Sequence, residues 1–110
     1  KLKKKIRSPE VNKTIEEGKQ GKHILGHKNY KDGRSYLKVS VEEAQRLVDQ
    51  YAGTGQMKRD SKGHWTNKEF VSADYIIGVV VDANMGETIE TSRFSIHYSK
   101  NGVHIVPRKE

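Results

Sequence analysis

Cysteine is absent from the 110 residues. Disulfides, thiol nucleophiles and every zinc site that needs thiolate are therefore excluded, including those of cytosine-type deaminases. Apolar residues are scarce at 33%, and no apolar run approaches a membrane span. The basic start also lacks the apolar stretch of a secretory signal, so no membrane partner is expected. No strand is followed by a GxGxxG turn, which weakens a nucleotide-modifying reading in which a polar cleft works on a bound dinucleotide. There is no internal repeat and no low-complexity tract. The chain opens on Lys1 without Met, and it reads as the C-terminal part of a larger polypeptide, with delivery information lying upstream.

Positive charge is in excess. Lys and Arg number 21 against 14 Asp and Glu, a net +7, and the pI is near 9.6. Such a balance favours a nucleic acid or another acidic partner over a neutral small molecule. Part of it sits in KLKKKIR, so residues 1–10 read as a flexible basic linker or tail ending at Pro9. Residues 11–110 read as a single domain with a modest core.

Within that domain, 11–20 offers a short amphipathic helix, with Val11 and Ile15 on one side and Gly18 as its stop. Residues 22–37 carry mixed signals, broken at Gly26 and Asp32-Gly33 into an apolar anchor, a turn and an extended piece. Ser40 with Glu43 three residues on is a capping box, and Val41, Ala44, Leu47, Val48 and Tyr51 recur at helical spacing up to Gly53. A long polar loop follows, with a hairpin around Ser61-Lys62-Gly63 and Trp65 as its anchor. YIIGVVVD from Tyr75 is apolar on both sides, as in the centre of a covered sheet, and Asn84 to Gly86 turns the chain. Helices first and antiparallel strands after predict an α+β fold, with N-terminal helices packed on one face of a twisted antiparallel sheet.

The last stretch, RFSIHYSKNGVHIVP, predicts a hairpin centred on Asn101-Gly102 as a type I′ turn. Ser99 then faces His104 and His97 faces Val106. Alternation places Ser95, His97, Ser99 and His104 on one face and Phe94, Ile96, Tyr98, Val103 and Ile105 on the other. A histidine-bearing sheet face on a basic chain suggests acid/base work on a polyanion, RNA above all. Cleaving RNA without metal needs a base for the 2′-OH proton, an acid for the 5′-oxygen and donors for the phosphorane. Histidine suits the first two roles, and Arg, Lys, Ser and Thr the third. Two clusters supply them: Lys22, His23, His27, Arg34 and Ser35 early, and Thr91, Ser95, His97, Ser99, Lys100 and His104 late. Plainer readings stand beside these. His97 can be a half-exposed strand residue, His23 a helix-end histidine, and His104 a cross-strand partner of Ser99. His27 and His64 sit in turn-rich contexts. Gly53-Thr54-Gly55 can offer N–H groups to a phosphate or simply close the helix. His23 and His27 are spaced like metal ligands, but Gly26 lies between them and no carboxylate is near before Asp32; neither metal nor cofactor is expected.

The motifs KQGKHILGHKNY from Lys19, GRSYL from Gly33, YAGTGQ at Tyr51, KGHW at Lys62, DYIIGVVVD at Asp74 and IHYSKNGVHIVP at Ile96 together span most of the chain. On them the chain resembles bacterial polymorphic toxin type 50, a C-terminal toxin domain found at the end of phage minor head proteins and other secreted effectors. The resemblance implies the barnase, EndoU, colicin and RelE superfamily of metal-independent ribonucleases, with helices on an antiparallel sheet. It also implies a delivered effector that cuts RNA in the target-cell cytoplasm and is silenced by a cognate immunity protein. His23, Arg34, Ser35, His97, Ser99 and Lys100 carry over as site residues. His27 departs from the family, which commonly shows Thr there, and so falls outside the obligatory set.

The expected mechanism is 2′-OH transesterification by a monomeric domain, with His23 and His97 as the acid/base pair and Arg34 and Lys100 neutralising the phosphorane. Ser35, Thr91 and Ser99 orient the phosphate, and Lys22, Ser95 and His104 complete the substrate contacts. The competing reading is a non-catalytic nucleic-acid-binding module of a phage head protein.

Overall fold

Ser40 starts the longest helix, as its spacing predicts. Its Oγ accepts the backbone N–H of Glu43 at 3.0 Å, and α3 runs over Val41–Tyr51 in the computed structural model, which describes residues 2–82 and 84–110. The capping box is half formed, because the Glu43 carboxylate binds Arg46 and the Tyr75 hydroxyl. Ala44, Leu47 and Val48 make the buried stripe. Gly53 follows with φ +84, the left-handed geometry that ends the helix.

The described residues hold seven strands: β1 (Tyr36–Leu37), β2 (Gln56–Arg59), β3 (Trp65–Ser72), β4 (Gly78–Val81), β5 (Thr88–Thr91), β6 (Arg93–Ser99) and β7 (Gly102–Pro107). They form two antiparallel sheets, ordered β2-β3-β6-β7 and β1-β4-β5. The architecture is α+β, with α3 and the N-terminal helix α1 (Leu2–Arg7) against one face of the larger sheet. Ile6 of α1 and the α3 stripe share one core with Val71, Phe94, Ile96, Val103 and Ile105. Central β4 has Gly78 and Val79 buried, as a covered strand should, although it begins at Gly78 and leaves Tyr75 and Ile76 exposed.

Four local expectations are corrected. The stretch read as a flexible basic lead-in holds α1. Leu2 and Ile6, four residues apart among lysines, give that helix one apolar side, and Ile6 is fully buried. Lys1 lies outside the described residues. The helix expected over 11–20 shrinks to α2 (Glu17–Gln20), followed by a 3-10 turn at Gly21–His23. Residues before it run extended because the open edge of β7 offers partners: Val103 donates to the Thr14 carbonyl at 2.9 Å, and Glu16 donates to the Val103 carbonyl at 2.8 Å. The hairpin expected around Ser61-Lys62-Gly63 is there, but the polar stretch on either side of it forms strands, β2 and β3, whose alternation is masked by the Lys and Arg on their exposed positions.

The fourth correction concerns the terminal hairpin. Its pairs are Ser99 with Gly102, Tyr98 with Val103 and His97 with His104. Lys100 and Asn101 form the turn, and Gly102 opens β7 at φ +131. The register therefore differs from the expected one by two residues. A two-residue shift preserves facing, so every side chain keeps its predicted side of the sheet. Gly102 is required for a second reason: a Cβ there would run into the Thr14 carbonyl.

Candidate functional site

One rung of the larger sheet, on the face turned away from the core, carries the chemistry. Cross-strand pairing lines up Lys58, Lys68, His97 and His104 on β2, β3, β6 and β7. Gln20 continues the neighbouring rung, that of Ile96 and Ile105, beyond the sheet. Its fully buried amide accepts the Ile105 N–H at 2.7 Å and donates to the Ile105 carbonyl at 2.9 Å, acting as a one-residue strand on the edge of β7. His23, three residues later, is thereby set beside His104.

The result is a row of three imidazoles. His104 lies between its neighbours, its ring centroid 6.3 Å from that of His23 with the planes 14° apart, and 4.7 Å from that of His97 at 51°. His23 is buried, and the other two are half-buried. The Nδ1 of His23 is 2.9 Å from the Ser35 carbonyl, which can only accept, so that nitrogen carries the proton. In the neutral ring Nε2 is then bare. Ser35 Oγ adds a contact to the same Nδ1 at 3.2 Å. His97 Nε2 is held by Ser95 Oγ at 2.8 Å.

All three rings resist protonation. Burial is the main cause for His97, joined by the charges of Lys68 and His23, and together they bring it down to about 4. Burial also leads for His104, followed by His97, His23, Lys19 and Lys22, and takes it to about 3. His23 is lowered by burial first; its bond to the Ser35 carbonyl opposes the shift, while Arg34 and Lys22 add to it. An anion seated on this face would offset the cationic contributions and favour protonation. Among the described residues no group of three His, Asp or Glu side chains is placed to hold a metal ion.

Of the residues expected at the site, His23, Ser35, Ser95, His97 and His104 are brought into contact with one another, and Lys22 and Arg34 lie close enough to act on the His23 charge. The rest go elsewhere. Thr91 is fully buried, and its hydroxyl donates to the Arg108 carbonyl at 2.8 Å. Ser99 Oγ donates to the Gly102 carbonyl at 3.0 Å and closes the hairpin turn. Lys100 lies in that turn and lines a separate cavity of about 590 Å³ with Leu2, Ile6 and Trp65. His104 faces His97 and not Ser99.

His27 is turned away, bonded to Glu17 and accepting the Asn29 N–H at 3.0 Å, and His64 is exposed in the β2–β3 turn. Gly53 and Gly55 spend their N–H groups on the buried Glu69 at 3.0 and 2.6 Å. They are thus unavailable to a phosphate. Sequence reasoning missed Lys68, whose segment reads as loop; only its alternation with Phe70 about the inward Glu69 hints that it belongs to the histidine face.

The fold and the site define a small basic α+β domain with a desolvated imidazole row on one face of its larger sheet. The comparisons place it further: the family model for bacterial toxin 50 (Ntox50) matches residues 15–107. The chain belongs to that family and is a bacterial toxin domain. No curated protein matches it. Among the described residues no helix is long and apolar enough to cross a membrane.

Proposed function

We propose that this toxin domain is a metal-independent endoribonuclease that cuts RNA by attack of a 2′-OH on the adjacent phosphorus, leaving a 2′,3′-cyclic phosphate and a 5′-OH. The observation that carries the reading is the three-imidazole row at the β6–β7 edge of a cationic sheet face. In-line displacement places the entering and leaving oxygens on opposite sides of phosphorus, so base and acid must flank the phosphate. His23 and His97 flank His104.

His23 acts as base, because its bond to the Ser35 carbonyl leaves Nε2 free to take the 2′-OH proton. His97 acts as acid. It is protonated once the phosphodiester has seated beside it and Lys68, and it delivers its proton to the departing 5′-oxygen. His104 presents an N–H to the phosphorane between them, and Lys68, Lys22 and Arg34 balance the developing charge. Ser35 and Ser95 hold the two working rings in position.

On this reading the domain is a ribonuclease of the barnase, EndoU, colicin and RelE type. The toxin would act in the cytoplasm of a target cell, be carried there as the end of a longer phage or effector polypeptide, and be silenced by an immunity protein that covers the histidine face. The test is incubation of the purified domain with total RNA in excess EDTA, followed by mapping of the fragment ends. Cyclic termini are expected, with a loss of about 10²- to 10⁴-fold on His97→Ala. Cutting that requires magnesium, or full activity of the His97→Ala variant in a folded domain, would overturn the reading.

A further inference from the structure

Two rungs along the same face from the histidines lies a second group of charges that the proposed cleavage does not use. Lys68 faces His97, Phe70 faces Ser95, and Ser72 faces Arg93, so the face runs from imidazole to aromatic to guanidinium. Arg108 joins the third rung by donating its backbone N–H to the Arg93 carbonyl at 3.0 Å. Its side chain folds back, and the guanidinium carbon sits 4.0 Å above the Phe70 ring. That brings the charge level with Ser95, about 7 Å along the strand from His97 at two residues of extended rise.

Arg93 and Arg108 line a cavity of about 340 Å³ with Thr54, Gln56 and Ser72. Among the described residues neither arginine forms an ion pair. The nearby Glu110 carboxylate bonds Ser92 and Thr91 and feels the Arg93 charge without reaching salt-bridge distance. Most telling, Arg108 Nε is buried with no hydrogen-bond partner. An Nε–H sealed from solvent without a partner is costly to maintain, and it leaves the terminal Nη groups of Arg108, which no side-chain or backbone acceptor among the described residues engages, as the paired donors that suit a phosphate. Burial, followed by the Arg93 charge, pulls the Arg108 pKa down, the direction a bound anion would reverse.

We infer that the Arg93–Arg108 cavity is a subsite for the phosphodiester flanking the one that is cut. The inference rests on the ribonuclease reading for its substrate, and its geometry is independent of the histidines. It makes the enzyme selective for chains with at least two phosphates, because the remote contact helps to hold the scissile bond against the imidazole row.

Two measurements on the whole domain test it. In the first, kcat/KM is compared for a dinucleoside monophosphate and a trinucleoside diphosphate in EDTA. The second phosphate is expected to raise kcat/KM about ten- to a hundredfold, and Arg108→Gln or Arg93→Gln to shrink that ratio to about twofold or less. In the second, the wild-type domain is titrated with an all-deoxy trithymidylate, which cannot be cleaved, while the arginine Nε–H resonances are followed by NMR. Arg108 is expected to shift, and to shift less with the dinucleotide. Efficient cleavage with no advantage for the trinucleotide, an advantage that survives in both folded variants, or arginine signals indifferent to trithymidylate would each overturn the subsite. Arginine shifts without any RNA cleavage would instead overturn the ribonuclease reading and leave the anion site standing.

Discussion

Glu69 shows how a single buried group holds the histidine-bearing sheet in place. It is fully buried on the core side of β3, where its carboxyl accepts the N–H groups of Gly53 and Gly55 and the Tyr98 hydroxyl at 2.6 Å. Burial, followed by that last bond, raises the Tyr98 pKa. Glu69→Ala strands two buried donors and a half-buried one, and urea unfolding should record a loss of about 3 kcal/mol. Tyr98→Phe, which removes one donor and leaves the two amides satisfied, should cost about 1 kcal/mol. Equal costs for the two variants would mean that the amides find other partners. His23 differs from His27 by the same logic of partners: one ring meets a backbone carbonyl and faces the row, and the other is drawn to Glu17. Residue type alone puts both in the early cluster, and only the family resemblance set His27 outside the obligatory residues.

Elements are joined mainly through the edge of β7. That strand is the last of its sheet, and its outward N–H and C=O groups would be open to strangers if 14–20 did not cover them. Gln20 spans 85 residues of sequence to reach Ile105. Gln20→Ala is expected to cost about 2 kcal/mol by unfolding, to speed amide exchange at Ile105, and to lower RNA cleavage because His23 is no longer held beside His104. A stability loss without a change in cleavage would show that His23 is positioned by Ser35 alone. The hairpin of β6 and β7 was legible in part. Alternation alone assigns its two faces, and those are the faces observed. The register was not legible, because Asn101-Gly102 favours a two-residue turn of its own, while the Thr14 carbonyl packed against Gly102 belongs to a segment some ninety residues earlier that no local pattern anticipates.

The domain as one body should be acid-sensitive in a window that the histidines define. His97 and His104 titrate at about 6.5 in an unfolded chain and at about 4 and about 3 when folded. The unfolded state therefore binds more protons on acidification, and stability falls as the pH drops from 6.5 toward 4. Glu43, Asp82 and Glu110 are held below their ordinary values of 4.5, 3.8 and 4.5, so their share is lost only at lower pH. Urea midpoints should decline already between pH 6.5 and 5, and NMR should show both imidazoles still neutral at pH 6. A flat midpoint across that interval would contradict the burial of the row. Added RNA should raise the titration midpoint of His97, since an anion beside it favours the charged form.

Periodicity acts over a few residues, and it was enough to place α3, the covered strand β4, the two faces of the last hairpin and the α+β class. Each depends on side chains meeting the same solvent or the same core as their near neighbours. Which imidazole joins the row, which lysine stands beside it, why Lys100 and Thr91 stand apart, and where the unpaired arginines gather all depend on strand pairing between remote segments. Those choices are made by backbone hydrogen bonds and close contacts that form only when the sheet assembles, such as Gln20 on Ile105, Lys68 across from His97 and Arg108 folded onto Phe70.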